Sequence, residues 1–197
     1  MQPPRAILFD LDGTLTRPLL DFAQIRAEMG APAGVGILEW LETADTAHRQ
    51  RAEQILDRHE TTAARQSELS EGCRDLLDWL RSAGVPAGVV TRNSRRCTEL
   101  VRNKHGLAFA VEMTRDDGVF KPDPAPLRLA CGRLGLDCAE VWMVGDGEFD
   151  VRAGLAAGCP TIWISHGRQR HFSWTPWITL FNLRELQNLL EAAVSGK

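Results

Sequence analysis

Short apolar runs alternate with amphipathic stretches over most of the chain. Runs this short, lying between amphipathic stretches, are typical of strands buried on both faces of a parallel sheet. The predicted strands are residues 6–9, 85–90, 107–113, 141–144 and 161–164. The predicted helices among them are residues 70–81, 94–105, 125–134, 151–157 and 183–194. This alternation predicts an α/β fold of the Rossmann-like, doubly wound kind, with a parallel sheet between two layers of helices.

Residues 17–70 depart from this alternation because they contain no convincing buried strand. The helices predicted there are residues 21–29, residues 36–43 and a long helix capped by Asp45 that ends near residue 69. Their apolar faces are thin, so the segment is expected to pack against the rest of the chain rather than fold alone. The predicted organisation is a core of residues 1–16 and 71–197 with a small all-helical insertion, residues 17–70, after the first strand.

The composition narrows the possible partners. Of the 197 residues, 44% are apolar and 25% are charged, as in ordinary globular proteins. The net charge of −3 and the scattered arginines predict no nucleic-acid partner. No apolar stretch approaches the ~20 residues needed to span a bilayer, so no membrane association is predicted. The first residues run directly into the first strand, which indicates no secretory signal and predicts a cytoplasmic location.

The cysteines are odd in number, and none of them forms a Cys-x-x-Cys pair. They are Cys73, Cys97, Cys131, Cys138 and Cys159. This pattern argues against a disulfide framework and against a zinc knuckle, and it fits a reducing cytosol. Most of these cysteines are expected to be small residues of the core.

The strongest chemical signal follows the first strand, in the run from Asp10 to Leu15. Asp10 and Asp12 lie at or just beyond the carboxyl end of that strand, where open α/β sheets bind ligands. Burying two neighbouring carboxylates without a cation is costly, so the pair predicts a hard divalent ion with oxygen ligands, namely Mg²⁺. The alternative is a solvated exit from the strand, because Asp and Gly both favour turns.

Further polar residues recur where other strands end or on the loops nearby. They are Thr91, Lys121, Asp146 and Asp150. In a parallel sheet these positions face one crevice, and a hydroxyl, a fixed cation and several carboxylates suit phosphoryl transfer. A carboxylate can itself be the nucleophile in such a reaction. Taken singly, each residue also has an ordinary explanation as a strand end, a loop lysine or a helix cap.

Together these residues resemble the four motifs of the haloacid dehalogenase superfamily. The motifs are Asp10-Leu11-Asp12-Gly13-Thr14-Leu15, Thr91, Lys121-Pro122, and Gly145-Asp146 with Asp150. The position of the helical insertion resembles the C1 cap of phosphatases near phosphoglycolate phosphatase. The resemblance implies that Asp10 is the nucleophile and that Asp12 is the general acid/base, protonating the leaving oxygen and later activating water.

The resemblance also implies a metal site and a phosphoryl site. Mg²⁺ would be held by Asp10, the backbone carbonyl of Asp12, and Asp146. The residues that would bind the phosphoryl group are Thr91, Arg92, Asn93 and Lys121. Asp150 would orient Lys121 or a water molecule on the metal, and Gly13 would support the first motif. The fourth motif departs from the family pattern at Gly147, where a small hydroxyl residue is common, and this puts the contacts around Asp146 in doubt.

Hydrolysis of a phosphate monoester is favoured among the reactions of this superfamily. Asp12 supplies the acid/base that ester hydrolysis needs and dehalogenation does not. Phosphonate hydrolysis in similar proteins uses a lysine of the cap, and residues 17–70 contain none. Two alternatives stay open: a β-phosphoglucomutase-like phosphotransferase and a catalytically silent binding module. The expected partner is a small phosphorylated metabolite, whose identity the sequence leaves open together with the cap residues that select it and the oligomeric state.

Four histidines, one arginine and a tryptophan-containing run have other predicted roles. His48 and His59 are predicted on solvated faces of the long helix of the insertion. The run Trp174-Thr175-Pro176-Trp177 is predicted to form a packed tail loop rather than a binding platform. The residues that could line the rim of the crevice are His166, Arg168 and His171.

Overall fold

A sheet of six parallel strands organises the computed structural model, which describes residues 2–170 and 172–194. The strands are β1 (Ala6–Phe9), β2 (Ala87–Val90), β3 (Val111–Met113), β4 (Val141–Gly145), β5 (Thr161–Ile164) and β6 (Ile178–Leu180). Their order is β3-β2-β1-β4-β5-β6, and all neighbouring pairs are parallel. The order reverses between β1 and β4, which is where doubly wound sheets bind ligands.

Eight α-helices accompany the sheet within the described residues. They are α1 (Phe22–Met29), α2 (Ile37–Thr43), α3 (Thr46–Gln66), α4 (Cys73–Ser82), α5 (Arg95–His105), α6 (Ala125–Leu134), α7 (Glu148–Ala157) and α8 (Leu183–Val194). The prediction of a doubly wound α/β fold is confirmed. Among the described helices, none combines the length and the apolar composition that a membrane crossing requires.

The described residues divide into two compact units. The first runs to Pro18 and resumes at Glu68, and it contains the sheet with α4–α8. The second is Leu19–Ser67, an all-helical unit built from α1, α2 and α3.

The helical unit begins its longest helix with a side-chain cap. The Asp45 carboxylate accepts hydrogen bonds from the backbone N–H groups of Ala47 and His48, which satisfies donors that a helix leaves unpaired at its start. His48 itself is exposed, as predicted. The prediction of a solvated His59 is wrong, because α3 packs on α1 and places His59 Nε2 3.2 Å from Glu28 Oε1, with only 20% of the His59 side chain exposed.

Both faces of the central strands are covered. These strands are therefore apolar at every position and do not alternate between apolar and polar residues. Ile7, Leu8 and Phe9 of β1 are fully buried, and so is every residue of β4. Each large side chain buried in this way contributes about 1.5–3 kcal/mol to the stability of the fold. The packed centre of the sheet is therefore a rigid base from which the loops at the strand ends project.

The structure differs from the sequence-based prediction mainly at the edges of elements. The strand β6 was not predicted, because its three residues are only partly buried at the edge of the sheet. Helix α7 begins at Glu148, three residues earlier than predicted, since Asp150 Oδ2 accepts a hydrogen bond from Gly147 N at 2.9 Å. Helix α4 begins only at Cys73, and β3 is confined to Val111–Met113.

Candidate active site

A buried lysine lies between two carboxylates at the carboxyl edge of the sheet. Lys121 is 1% exposed, and its Nζ donates to Asp10 Oδ1 at 2.7 Å and to Asp150 Oδ1 at 2.5 Å. Asp10 directly follows β1, Asp150 lies in the first turn of α7, and Lys121 comes from the segment between β3 and α6. Burial alone would lower the pKa of Lys121, but the two carboxylates outweigh it and hold that pKa above its usual range. Lys121 is therefore a fixed positive charge.

The lysine does not neutralise the carboxylates around it. Oxygen atoms of Asp10, Asp146 and Asp150 lie within 4.8 Å of one another. Burial raises the pKa of Asp10 well above its usual range; Lys121 opposes this shift, and the charges of Asp150 and Asp146 add to it. Three carboxylates face two cations here, Lys121 and Arg168, so negative charge remains in excess in a desolvated place, and hard oxygen donors of this kind are the ligands that Mg²⁺ prefers. The residues present fit a magnesium ion.

Asp146 is brought into this cluster by a close approach to the loop after β1. Gly13 has φ +87°, and a Cβ placed there would lie 2.5 Å from Asp146 Oδ2. A glycine is required because no larger residue leaves room for the carboxylate, and because this left-handed backbone conformation strains other residues. Burial raises the pKa of Asp146, and Asp150 adds to the shift while Arg168 opposes it.

Asp12 lies beside the cluster and is held by a different partner. Its Oδ2 accepts a hydrogen bond from Asn93 Nδ2 at 2.9 Å. Burial raises the pKa of Asp12, and the hydrogen bond from Asn93 opposes the shift without cancelling it. A carboxyl group with a raised pKa retains its proton nearer neutral pH, which is the property that a general acid needs.

Thr91 and Asn93 form a short turn at the end of β2 that leads into α5. The backbone N–H of Asn93 donates to Thr91 Oγ1 at 3.0 Å, and both residues are almost fully buried. The side chain of Ser94 caps α5 by accepting from Cys97 N. The first turn of a helix therefore begins directly behind these two residues, and the amino end of a helix favours an anion.

The Arg92 side chain contacts the segment that carries Lys121, and the sequence did not predict this contact. Its guanidinium donates to the backbone carbonyl of Lys121 and lies 4.1 Å from the ring centroid of Phe149 and 5.1 Å from that of Phe120. These contacts connect Arg92 to the backbone of the Lys121 segment.

Two residues after β5 reach the same cluster, although the sequence singled them out only as possible rim residues. Arg168 Nη2 lies 2.8 Å from Asp146 Oδ2, and His166 Nε2 lies 2.7 Å from the backbone oxygen of Gly13. The signal that could have found them is their place after a strand, which is the signal that found Asp146. His171, the third predicted rim residue, lies outside the described residues.

The tryptophan run lies beyond these rim residues and is partly packed. The Trp177 ring makes an edge-on contact with Trp142, with 5.2 Å between ring centroids. Trp174 and Trp177 nevertheless remain 42% and 44% exposed. The loop that the sequence predicts to be packed is therefore only partly buried.

Comparison with known proteins finds a matching family and several similar proteins. The family described as haloacid dehalogenase-like hydrolase matches residues 4–158. An N-acetylmuramic acid 6-phosphate phosphatase from Pseudomonas putida is 33% identical over 98% of this chain and 98% of its own length. A phosphoglycolate phosphatase from Xanthomonas campestris is 30% identical over 82% of this chain and 83% of its own. A hydrolase structure from Pseudomonas syringae superposes with a TM-score of 0.78 at 20% identity, covering 94% of this chain and 97% of that one.

Proposed function

The chain belongs to the haloacid dehalogenase-like hydrolase family, and we propose that it is a Mg²⁺-dependent phosphatase that cleaves a small phosphate monoester through an aspartyl-phosphate on Asp10. The observation that carries the proposal is the buried Lys121, held between Asp10 and Asp150 beside a third carboxylate, Asp146. A fixed cation next to a nucleophilic oxygen is what phosphoryl transfer requires, because the phosphoryl group brings negative charge to a negative nucleophile.

The first half of the proposed reaction transfers the phosphoryl group to the protein. A carboxylate oxygen of Asp10 attacks phosphorus while the bond between phosphorus and the ester oxygen breaks. Asp12, in its protonated form, donates its proton to the departing oxygen, and its burial supports this role by raising its pKa. Lys121, Thr91 and the amino end of α5 stabilise the charge on the transferring group.

The second half releases inorganic phosphate. Asp12, now a carboxylate, accepts a proton from the water molecule that attacks phosphorus, and the bond between phosphorus and Asp10 breaks. Asp10 then returns to its starting form, and Asp12 is again protonated. One acid/base residue can serve both halves of the reaction. The attacking water of the second half takes the position that the leaving oxygen had in the first half, so Asp12 can exchange a proton with either.

Three groups of this chain would hold the magnesium ion: the carboxylates of Asp10 and Asp146 and the backbone carbonyl of Asp12. When bound, Mg²⁺ supplies positive charge that offsets the repulsion between Asp10 and the phosphoryl oxygens. Asp150 keeps Lys121 in place, and Gly13 leaves the space that Asp146 needs. The relatives named for phosphoglycolate and for N-acetylmuramic acid 6-phosphate support a small phosphorylated metabolite as the substrate.

The proposal is tested by measuring phosphate release from a panel of phosphorylated metabolites, with Mg²⁺ and with a chelator. We expect Asp10→Asn to lower turnover by on the order of 10³-fold or more, since it removes the nucleophile. Asp75→Asn, which removes an exposed carboxylate from α4, is the control and should retain full activity. Full activity of Asp10→Asn would contradict the assignment of the nucleophile.

The intermediate and the reaction type have separate measurements. Mass spectrometry of the acid-quenched reaction should find one added phosphoryl group on the peptide that contains Asp10. Product analysis separates hydrolysis, which releases inorganic phosphate, from transfer to a second hydroxyl group. A folded protein that turns over no phosphate ester in the presence of Mg²⁺ would favour the silent binding module instead.

A further inference from the structure

A second cluster of potential metal ligands lies at the opposite edge of the sheet. The Sγ atoms of Cys131, Cys138 and Cys159, called here the thiol cluster, lie within 4.8 Å of one another. Cys138 comes three residues before β4, Cys159 comes two residues before β5, and Cys131 lies in the second half of α6. Because parallel strands begin at one edge, the fold gathers at its amino edge three thiols that lie on different elements within residues 131–159.

The separation of the sulfur atoms suits one metal ion. Three thiolates bound at ~2.3 Å to a single zinc-like ion lie about 3.8–4.0 Å apart, in tetrahedral or trigonal geometry. No two sulfur atoms of the thiol cluster are more than 4.8 Å apart, so their largest separation exceeds that spacing by about 1 Å at most.

The chemical surroundings of the thiol cluster favour a soft ion over a hard one. Cys131 and Cys159 are 1% and 2% exposed within an apolar part of the core, and Cys138 packs partly buried against it. Cys138 is therefore the member of the cluster that solvent reaches. A site whose ligand atoms are all sulfur, at the boundary of an apolar core, favours ions such as Zn²⁺, Cd²⁺ or Cu⁺ over Mg²⁺, which demands oxygen ligands and gives up its water reluctantly.

We propose that the thiol cluster is a binding site for a thiophilic d¹⁰ metal ion, with Cys131, Cys138 and Cys159 as its three protein ligands. The ion enters past Cys138 and ties the second half of α6 to the starts of β4 and β5. The site is separate from the carboxylate cluster, because the two lie at opposite ends of the same strands.

The test uses Cd²⁺ as the probe, added to the fully reduced protein in excess Mg²⁺. Thiolate-to-cadmium bonds absorb in the ultraviolet, and cadmium on the carboxylates of the active site gives no such absorbance. We expect the absorbance to rise to a plateau at one equivalent of Cd²⁺ and to fall when Zn²⁺ is added in competition. The midpoint of thermal unfolding should rise as the site fills, since the ion binds the folded state.

Variants identify the ligands. Cys138→Ser should weaken Cd²⁺ binding on the order of 10–100-fold, and Cys131→Ser should remove the one-equivalent absorbance. Cys73→Ser, which removes a buried thiol outside the cluster, should bind Cd²⁺ as the parent protein does. If Cys131→Ser does not fold, Cys138→Ser still decides the matter, because Cys138 is the least buried of the three.

Three results would overturn the proposal. The first is a folded, reduced parent protein that gives no thiolate-to-cadmium absorbance. The second is an absorbance that survives when all three cysteines of the cluster are changed to serine. The third is a folded Cys138→Ser variant that binds Cd²⁺ as tightly as the parent protein does.

Discussion

The two ends of strand β4 carry different potential metal ligands, oxygen atoms at one end and sulfur atoms at the other. Asp146 follows the strand and joins hard oxygen donors around Lys121, whereas Cys138 precedes the strand and joins two other sulfurs. Both clusters gather residues from different elements of the chain, because a parallel sheet brings every strand start to one edge and every strand end to the other. Both offer three metal ligands, yet one set suits Mg²⁺ and the other a thiophilic ion.

The two edges differ chiefly in the free-energy cost of burying their side chains. Carboxylates and a lysine are charged at neutral pH, so burying them is expensive unless each has a partner. Thiols can be neutral, and they pack in an apolar core as small hydrophobic side chains do. A change at the carboxyl edge should therefore disturb both stability and turnover, while a change at the amino edge should leave turnover alone. The predictions below test this contrast, beginning with the largest effect.

Among the changes that compare the two edges, replacing Gly13 by alanine should have the largest effect on turnover. The added Cβ would lie 2.5 Å from Asp146 Oδ2 and must push the carboxylate out of the cluster. A displacement of about 1 Å at a catalytic group can cost on the order of 100-fold in rate, and we expect a loss of that size with weaker Mg²⁺ dependence. Turnover measured against Mg²⁺ concentration checks this.

The matched control for Gly13→Ala is Gly158→Ala. Gly158 also has a positive φ, +89°, but no atom lies within 4 Å of a Cβ placed there. Both variants carry the backbone strain of a left-handed alanine, about 1 kcal/mol, and only Gly13→Ala crowds Asp146. Equal losses of turnover in the two variants would show that strain, rather than the displacement of Asp146, is responsible.

Replacing Asp150 by asparagine should destabilise the fold in saturating Mg²⁺. Lys121 would lose one of the two carboxylates that hold it, and a hydrogen bond to a charged group contributes about 1.5–3 kcal/mol. The cost should be smaller in chelator, since one fewer carboxylate then repels Asp10 and Asp146. Urea unfolding with and without Mg²⁺, beside Asp75→Asn, measures both effects. A larger cost in chelator would mean that Mg²⁺ does not balance these charges.

The predictions for Gly13 and Asp150 concern a site whose residues could largely be located from the sequence. Asp10, Thr91 and Asp146 each follow an apolar run, and the carboxyl ends of parallel strands meet, so their proximity followed from the predicted fold alone. The position of Lys121 depended on the order of the family motifs, because nothing local to Lys121 marks the loop that carries it.

Other features could not be predicted because they depend on side-chain directions or on weak local patterns. The contact between Arg168 and Asp146 arises from the path of the loop after β5, which has no periodic pattern. The edge strand β6 is short and only partly buried, so its apolar signal is weak. The spacing of Cys131, Cys138 and Cys159 matches no metal motif, and only the packing of α6 beside two strand starts brings them together.

A smaller effect is expected from Asp117, which supports the carboxyl edge from the turn after β3. Its Oδ2 accepts from Thr114 N at 2.8 Å and lies 2.7 Å from Arg95 Nη2. Burial alone would raise the pKa of Asp117, but the hydrogen bonds from Thr114 and the nearby arginines hold it below its usual range. A pKa that is lower in the folded state gives stability above the unfolded-state pKa, about 4, and that stability is lost as the pH falls through the folded value.

Asp117→Asn should therefore cost about 1 kcal/mol at pH 7 and progressively less below about pH 4. Urea unfolding of the parent and the variant over this pH range measures the difference. The control is Asp75→Asn, which removes a negative charge from an exposed position on α4. A stability difference that grew as the pH fell would contradict the lowered pKa.

The smallest effect on turnover is expected at the amino edge. Cys138 is partly exposed and the other four cysteines are buried, so a thiol reagent should modify Cys138 first in the native protein. Because Cys138 precedes β4 and the carboxylates follow it, modification should change phosphate release by less than about twofold. Prior addition of Cd²⁺ should slow the modification if the thiol cluster holds the ion. A loss of turnover in step with modification would mean that the two ends of β4 are coupled, and the contrast between the edges would fail.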